Sequence, residues 1–203
     1  MRHVVILSHP DSASFNAAIA RRYAETARSF GQAADIFDLY REDFDPRLPV
    51  EELPWRSGFQ ARADVVAARE RVRPAEVVVF VYPLWFNAPP AMLKGFVERV
   101  FGMGFGYASD AGGTKPLLTG KNLVSISTSG APDLWVRQTG AMDHLRTGFD
   151  DHVGAVCGLA VLDHLHLGGV TPGIRPDAAE CMLGEVANLV QRHFATAATR
   201  NRS

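Results

Sequence analysis

Val77-Val78-Val79-Phe80-Val81-Tyr82-Pro83-Leu84-Trp85-Phe86-Asn87-Ala88-Pro89-Pro90-Ala91-Met92-Leu93-Lys94 decides how this chain folds. Its first part is β-branched or aromatic without a polar break. Alternation is missing, so both faces of this strand are covered, as in the middle of a parallel sheet. The aromatic and proline-rich residues that follow form a loop, and helical spacing resumes at Pro90, where a missing N–H costs little in a first turn. The loop therefore lies at the carboxyl end of the sheet, the edge at which open α/β folds bind ligands. A loop there that exposes Tyr82, Trp85 and Phe86 beside rigid prolines suits a flat, conjugated ligand.

Outward from this segment, strand and helix signals alternate. Val4–Leu7 reads as strand one, Ser14–Phe30 as an alanine-rich helix closed by Gly31, and Ala33–Leu39 as strand two. A turn-rich connection, Pro46–Pro54, leads to helical spacing over Phe59–Val72 and to strand three, Glu76–Tyr82. The helix Pro90–Phe101 is followed by a glycine-rich excursion, Gly102–Gly120. Its Gly102–Gly113 part reads as a mobile surface loop, with a lid over the site as the sharper alternative. Lys121–Ser127 is strand four. Pro132–Gly158 carries helical spacing in its later part, Leu159–Leu167 is strand five, and Pro176–Phe194 is the last helix. Such alternation predicts parallel βαβ units. Five strands of this kind predict an α/β three-layer sandwich with a flavodoxin-like sheet, order 2-1-3-4-5, and helices on both faces. Residues 1–194 form one domain on this reading, and 195–203 a disordered tail.

Composition narrows the function. The chain has 203 residues, 47% of them apolar, and a net charge of −1. No field of that size draws nucleic acid or an anionic membrane. Cys157 and Cys181 are far apart and lack metal-ligand spacing, which fits a reducing compartment. The apolar run His3–Leu7 is too short for a signal segment, and no stretch reaches the ~20 residues of a membrane span. A soluble, cytoplasmic protein is expected.

In the 2-1-3-4-5 order, the loops Ser8–Asn16, Tyr82–Ala88 and Ser127–Asp133 converge on one crevice. The first lacks the glycines of a dinucleotide turn and the lysine of a P-loop. It offers hydroxyls, an imidazole and backbone N–H groups at a helix N-terminus, a serviceable phosphate cradle. Ser12 or Ser14 acting simply as a helix cap accounts for the same residues. The third loop, with Ser127, Thr128, Ser129 and Gly130, can present backbone donors to a ring edge that develops negative charge. By itself it also reads as an ordinary Ser/Gly turn.

Taken together, the loops and the helix resemble the NAD(P)H:quinone oxidoreductase family of flavodoxin-like flavoproteins. The carrying motifs are His9-x4-Ser14-Phe15-Asn16, Asp38-Leu39-Tyr40, Pro83-Leu84, Pro90-Ala91-x-Leu93-Lys94-Gly95-Phe96, Glu98-Arg99-Val100-Phe101 and Thr128-Ser129-Gly130. The resemblance implies a bound flavin, FAD with FMN as the alternative. His9, Ser14, Phe15 and Asn16 are then expected at its phosphates. Pro83, Leu84, Trp85, Phe86 and Asn87 are expected along the isoalloxazine, and Thr128, Ser129 and Gly130 at the pyrimidine edge. It further implies a homodimer with the flavin site at the interface, Phe105 and Tyr107 projecting toward a partner subunit's site, and Trp135 against the substrate. The implied reaction is a two-electron, ping-pong hydride transfer from NAD(P)H through flavin N5 to a quinone or similar aromatic acceptor.

Some positions depart from the family pattern. Trp85-Phe86-Asn87 stands where Gln-Trp-Phe is usual. Trp135 replaces a tyrosine and Ala141 a histidine of the family's hydride-transfer relay, so that relay is not carried over and no catalytic residue is assigned. A second implied role is a regulatory flavoprotein subunit of a potassium-efflux transporter. A hydrolase is disfavoured because Ser125, Ser127 and Ser129 show no Gly-x-Ser-x-Gly elbow. The cluster Asp143, His144, Asp150, Asp151, His152, Asp163, His164 and His166 raises a metal site, but no metal is assigned. His164-Leu165-His166 reads as a strand end with one polar face, and Cys157 as a small buried residue.

Overall fold

The computed structural model describes residues 1–55 and 58–195. The chain runs β1 (Arg2–Leu7), α1 (Phe15–Ser29), β2 (Ala33–Asp38), α2 (Ala63–Val72), β3 (Val77–Pro83), α3 (Ala91–Val100), β4 (Tyr107–Asp110), β5 (Gly113–Pro116), β6 (Asn122–Thr128), α4 (Asp133–Gln138), α5 (Ala141–Leu145), α6 (His152–Cys157), β7 (Ala160–Leu167) and α7 (Pro176–Phe194). A 3-10 turn, Val50–Glu52, precedes α2, and a π-helical turn, Arg146–Asp151, joins α5 to α6. Residues 196–203 of the expected tail lie outside the described residues.

Five strands form one parallel sheet in the order β2-β1-β3-β6-β7. This is the 2-1-3-4-5 order expected from the sequence. β3 is its middle strand and is buried along its whole length. Its side chains alternate between two cores. Val77, Val79 and Val81 meet α1 and α7 on one face. Val78, Phe80 and Tyr82 meet α2, α3 and the α4–α6 run on the other. A strand between two apolar layers needs no polar face, which is why its sequence shows no alternation. The same pleat corrects one expectation: Tyr82 is fully buried rather than displayed at the rim.

α3 explains two motif residues. A Cβ on Gly95 would lie 2.1 Å from the Pro46 carbonyl oxygen, so only glycine lets the Pro46–Pro54 connection approach the helix. Arg99, one turn further, is fully buried. It forms a bidentate pair with Glu52, both contacts at 2.8 Å, and binds Asp64 at 2.6 and 3.0 Å. The Asp45 carbonyl accepts a further bond from it. An irregular connection is thereby fastened from beneath.

The glycine-rich excursion is not a plain loop. Tyr107–Asp110 and Gly113–Pro116 pair as an antiparallel hairpin. Its strands are short and mostly polar, so no period-2 hydrophobic signal marks them. Among the described residues, no helix is long and apolar enough to cross a membrane.

Candidate functional site

Strand register brings the three loops together. Leu7 pairs with Val81, and Pro83 with Thr128, so β3 and β6 end level while β1 ends two residues earlier. The Ser8 N–H donates to the Val81 carbonyl (2.9 Å) and the Leu84 N–H to the Thr128 carbonyl (2.7 Å). The buried Asn16 side chain donates through Nδ2 to Thr128 Oγ1 (3.0 Å), tying the first loop to the third across the crevice.

In the first loop, Ser14 caps α1. Its Oγ accepts from the Ala17 N–H at 3.2 Å, and its carbonyl accepts from the Ala18 N–H at 3.1 Å. The Phe15 and Asn16 N–H groups of the first turn then have no intrahelical partner and point past the helix end, where partial positive charge favours an anion. Capping leaves the Ser14 hydroxyl proton available as a donor. His9 Nδ1 lies 3.0 Å from the Asp11 N–H and 3.2 Å from its carbonyl. Accepting at the shorter contact leaves the proton on Nε2. The buried Ser8 hydroxyl below has no hydrogen-bond partner.

In the second loop, Trp85 and Ala88 exchange backbone hydrogen bonds at 3.0 and 3.2 Å. The two residues between them, Phe86 (φ 54°) and Asn87 (φ 56°), are both left-handed. This is the geometry of a two-residue type I′ turn, in which asparagine is common and phenylalanine is not. Phe86 is fully exposed, so its ring gains no burial to offset the strain. Phe86→Gly is expected to raise the unfolding free energy by about 0.5–1 kcal/mol, the left-handed penalty less the glycine entropy. Urea unfolding checks this.

The third loop closes on β7. The Ser129 N–H donates to the Leu167 carbonyl and the Val170 N–H donates back to the Ser129 carbonyl, with the exposed Gly130 next in the chain. A Cβ on Gly130 would make only ordinary contacts, 3.7 Å from the Val170 oxygen. Beneath this loop runs a buried polar network that the sequence did not reveal. Ser125 Oγ donates to Asp150 Oδ1 (2.7 Å), and Asp150 Oδ2 holds His164 Nδ1 (2.5 Å). Ser127 Oγ bridges His164 Nε2 (2.7 Å) and His166 Nδ1 (2.9 Å), and Ser129 Oγ meets His166 Nε2 (3.0 Å). So the polar face of β7 is interior, not solvated, because the π-helical turn places Asp150 over it. Burial, helped by the neighbouring His164, pushes the His166 pKa down to about 4. Burial, then the Asp150 charge, raises the Tyr82 phenol well above its ordinary value. The usable signal was paired alternation: Ser125 and Ser127 on β6 sit in register with His164 and His166 on β7.

The remaining expected residues scatter. Trp135, on α4, is exposed near the third loop, as is Trp85 on the second. Tyr107 is half-buried and lines an apolar cavity of about 390 Å³ with Leu53, Trp55, Val97 and Met103. Phe105 is core: it packs on Phe101 with Arg69 and Arg73 over its ring, 5.4 and 5.3 Å from the centroid, so it presents nothing to a ligand. Ala141 is buried at the start of α5. Cys157 is buried, and burial raises its thiol pKa to about 11, which makes it inert.

The crevice therefore offers helix-end N–H groups, an imidazole and hydroxyls at one end, and an aromatic turn facing a glycine-bearing loop at the other. A phosphate attached to a flat ring fits that donor set. A sequence model of the Flavodoxin_2 family, described as a flavodoxin-like fold, matches residues 1–190. An uncharacterized NAD(P)H oxidoreductase of Haemophilus influenzae is 34% identical over 132 residues, 64% of this chain and 65% of that protein. NAD(P)H dehydrogenase [quinone] 1 of Rattus norvegicus is 29% identical over 183 residues, 80% of this chain and 66% of that protein. The chain thus spans about two thirds of these relatives' length. The solved NAD(P)H:quinone oxidoreductase of Methanothermobacter marburgensis superposes with a TM-score of 0.84 at 24% identity, covering 95% of this chain and 98% of that one. With sheet order and family match in agreement, the chain belongs to the Flavodoxin_2 family, of flavodoxin-like fold.

Proposed function

We propose that this protein is a flavin-dependent NAD(P)H oxidoreductase that passes two electrons to a quinone or similar aromatic acceptor. One observation carries the reading: three separate loops are hydrogen-bonded into a single rim, with the Asn16–Thr128 bond as the clasp. His9, Ser14, Phe15 and Asn16 hold the phosphates. Pro83, Leu84, Trp85, Phe86 and Asn87 line the ring, and Thr128, Ser129 and Gly130 meet its pyrimidine edge. When bound, the flavin supplies two-electron chemistry. The chain binds it, orients it and excludes water from one face. Nicotinamide and acceptor use one pocket in turn, which gives ping-pong kinetics.

FAD is the preferred form. A groove of about 490 Å³ beside the first loop carries Arg21 and Arg41 beside Asp38 and Glu42, with Ser12 and Ile36, and gives an adenylate half somewhere to lie. We read the exposed Trp55, Phe86, Leu134 and Trp135 as contacts of a homodimer, since single chains seldom display so many large apolar side chains. Tyr107 then borders the partner's pocket, and Trp135 stacks on the acceptor.

Purified protein is expected to be yellow or to become so with FAD. Its extracted flavin identifies the cofactor by chromatography, and NAD(P)H oxidation with menadione should give parallel double-reciprocal lines. Protein that is colourless and stays so after incubation with FAD or FMN refutes the reading.

A further inference from the structure

The geometry points to a proton wire, Ser129–His166–Ser127–His164–Asp150, that stores one proton beside Asp150 and exchanges it with the crevice at Ser129. The placing of the exchange end rests on the proposed flavin site; the wire itself rests on the hydrogen bonds alone.

Donor counting allows two fillings of this network. With both imidazoles neutral, His164 carries its proton on Nδ1 against Asp150, and its Nε2 accepts from the Ser127 hydroxyl. Ser127 Oγ then accepts from His166 Nδ1–H, and His166 Nε2 accepts from the Ser129 hydroxyl. Adding one proton at the crevice end reverses the three links between Ser129 and His164 and leaves the His164 Nδ1–H on Asp150. Ser129 gives its proton to His166 Nε2 and takes the incoming one, which it turns to the Ala131 carbonyl, 2.9 Å away. His166 Nδ1–H passes to Ser127 Oγ, and the old Ser127 proton passes to His164 Nε2. One proton has entered, no electron has moved, and the charge rests on His164 against a carboxylate three links from the entry.

The surroundings favour that resting place. His164 faces Asp150 from the π-helical turn and the Tyr82 ring from β3, 6.3 Å between centroids. Asp163 turns the other way, to Arg192 and His193. His166 faces Asp133 and Arg137 of α4, which already pair with each other at 2.6 Å. It therefore conducts rather than keeps the proton. The reduction of a quinone by NAD(P)H consumes one proton from outside, NAD(P)H + H⁺ + quinone giving NAD(P)⁺ + hydroquinone. A wire ending at the pyrimidine-edge loop can supply it, in a chain where Trp135 and Ala141 leave the family's relay positions without a titrating group.

Nitrogen NMR of histidine-labelled, flavin-free protein tests this as the pH is lowered stepwise. As His164 gains its second proton, the His166 proton should move from Nδ1 to Nε2 at the same midpoint. In Ser127→Ala, which removes only the central hydroxyl, His164 still titrates and the His166 switch is lost. A His166 tautomer that stays fixed in the wild-type protein while His164 titrates, or a proton held by His166 first, overturns the wire. Because no flavin is present, these outcomes are separate from failure to bind flavin, which would refute the functional reading and leave the wire standing.

Discussion

Arg99→Met will lower the unfolding free energy by about 3–5 kcal/mol, the typical cost of removing one partner from a buried ion pair. The guanidinium is wholly inaccessible, and Glu52 beneath it is nearly so. Without Arg99, the hydrogen bond left to the Glu52 carboxylate among the described residues is the Arg62 N–H, at 3.0 Å, with the Arg69 charge nearby, so a buried carboxylate loses most of its compensation. Asp64 is half-exposed and loses less. The loss should be concentrated in the Pro46–Pro54 connection, which the pair fastens to α3. Adding Glu52→Leu should recover a large part of it, because a matched apolar pair is often as stable as a buried ionic one. Arg99→Lys should rescue little, since an ammonium cannot reproduce the two-pronged contact. Urea unfolding of the flavin-free protein measures all three. A loss below about 1 kcal/mol for Arg99→Met would show that water reaches Glu52 and that the pair behaves as a surface bridge.

Asn16→Ala will weaken flavin binding by about ten- to a hundredfold, because 1.4 kcal/mol is a factor of ten and a buried hydrogen bond lost on one side costs about 1–3 kcal/mol. The Asn16 side chain joins the phosphate end of the crevice to the loop at its other end, through the 3.0 Å bond to Thr128 Oγ1. Without it the hydrogen bonds left to the first loop among the described residues are its own cap, its internal turns and the Ser8 N–H, so more of the rim's order has to come from the ligand. Thr128→Val cuts the same bond from the other end. The two changes should therefore be strongly non-additive in a double-mutant cycle. Flavin fluorescence quenching gives the dissociation constants, and an unchanged constant in Asn16→Ala would remove the clasp from the account.

Local sequence signals sufficed wherever one residue's surroundings repeat along an element. The unbroken apolar run of β3 announced a central parallel strand, and Ser14 and Gly31 marked the ends of α1. The alternation of five strands with helices pointed to a flavodoxin-like sheet, whose 2-1-3-4-5 order the structure has. The motif residues Gly95 and Arg99 were visible but their meaning was not: one admits Pro46 and the other neutralises Glu52, and both partners lie about fifty residues away in the chain. Phe105 looked like a ligand-facing aromatic and is core, since no local pattern reports which side of a bend two arginines will cover. The β4–β5 hairpin escaped because its strands bury little.

By itself the sequence determined the α/β class and the parallel strands with loops at their carboxyl ends, which follow from periodicity and chain connectivity, while the strand order came from the flavodoxin-like type those strands suggest. Only the tertiary structure decided that Tyr82 points inward, that Phe86 holds a left-handed turn, and that Asp150 reaches over β7 to organise two histidines. The reason is physical: periodicity reports whether a residue meets oil or water, whereas a hydrogen bond between residues 16 and 128, or 150 and 164, depends on distances that exist only once the layers have packed.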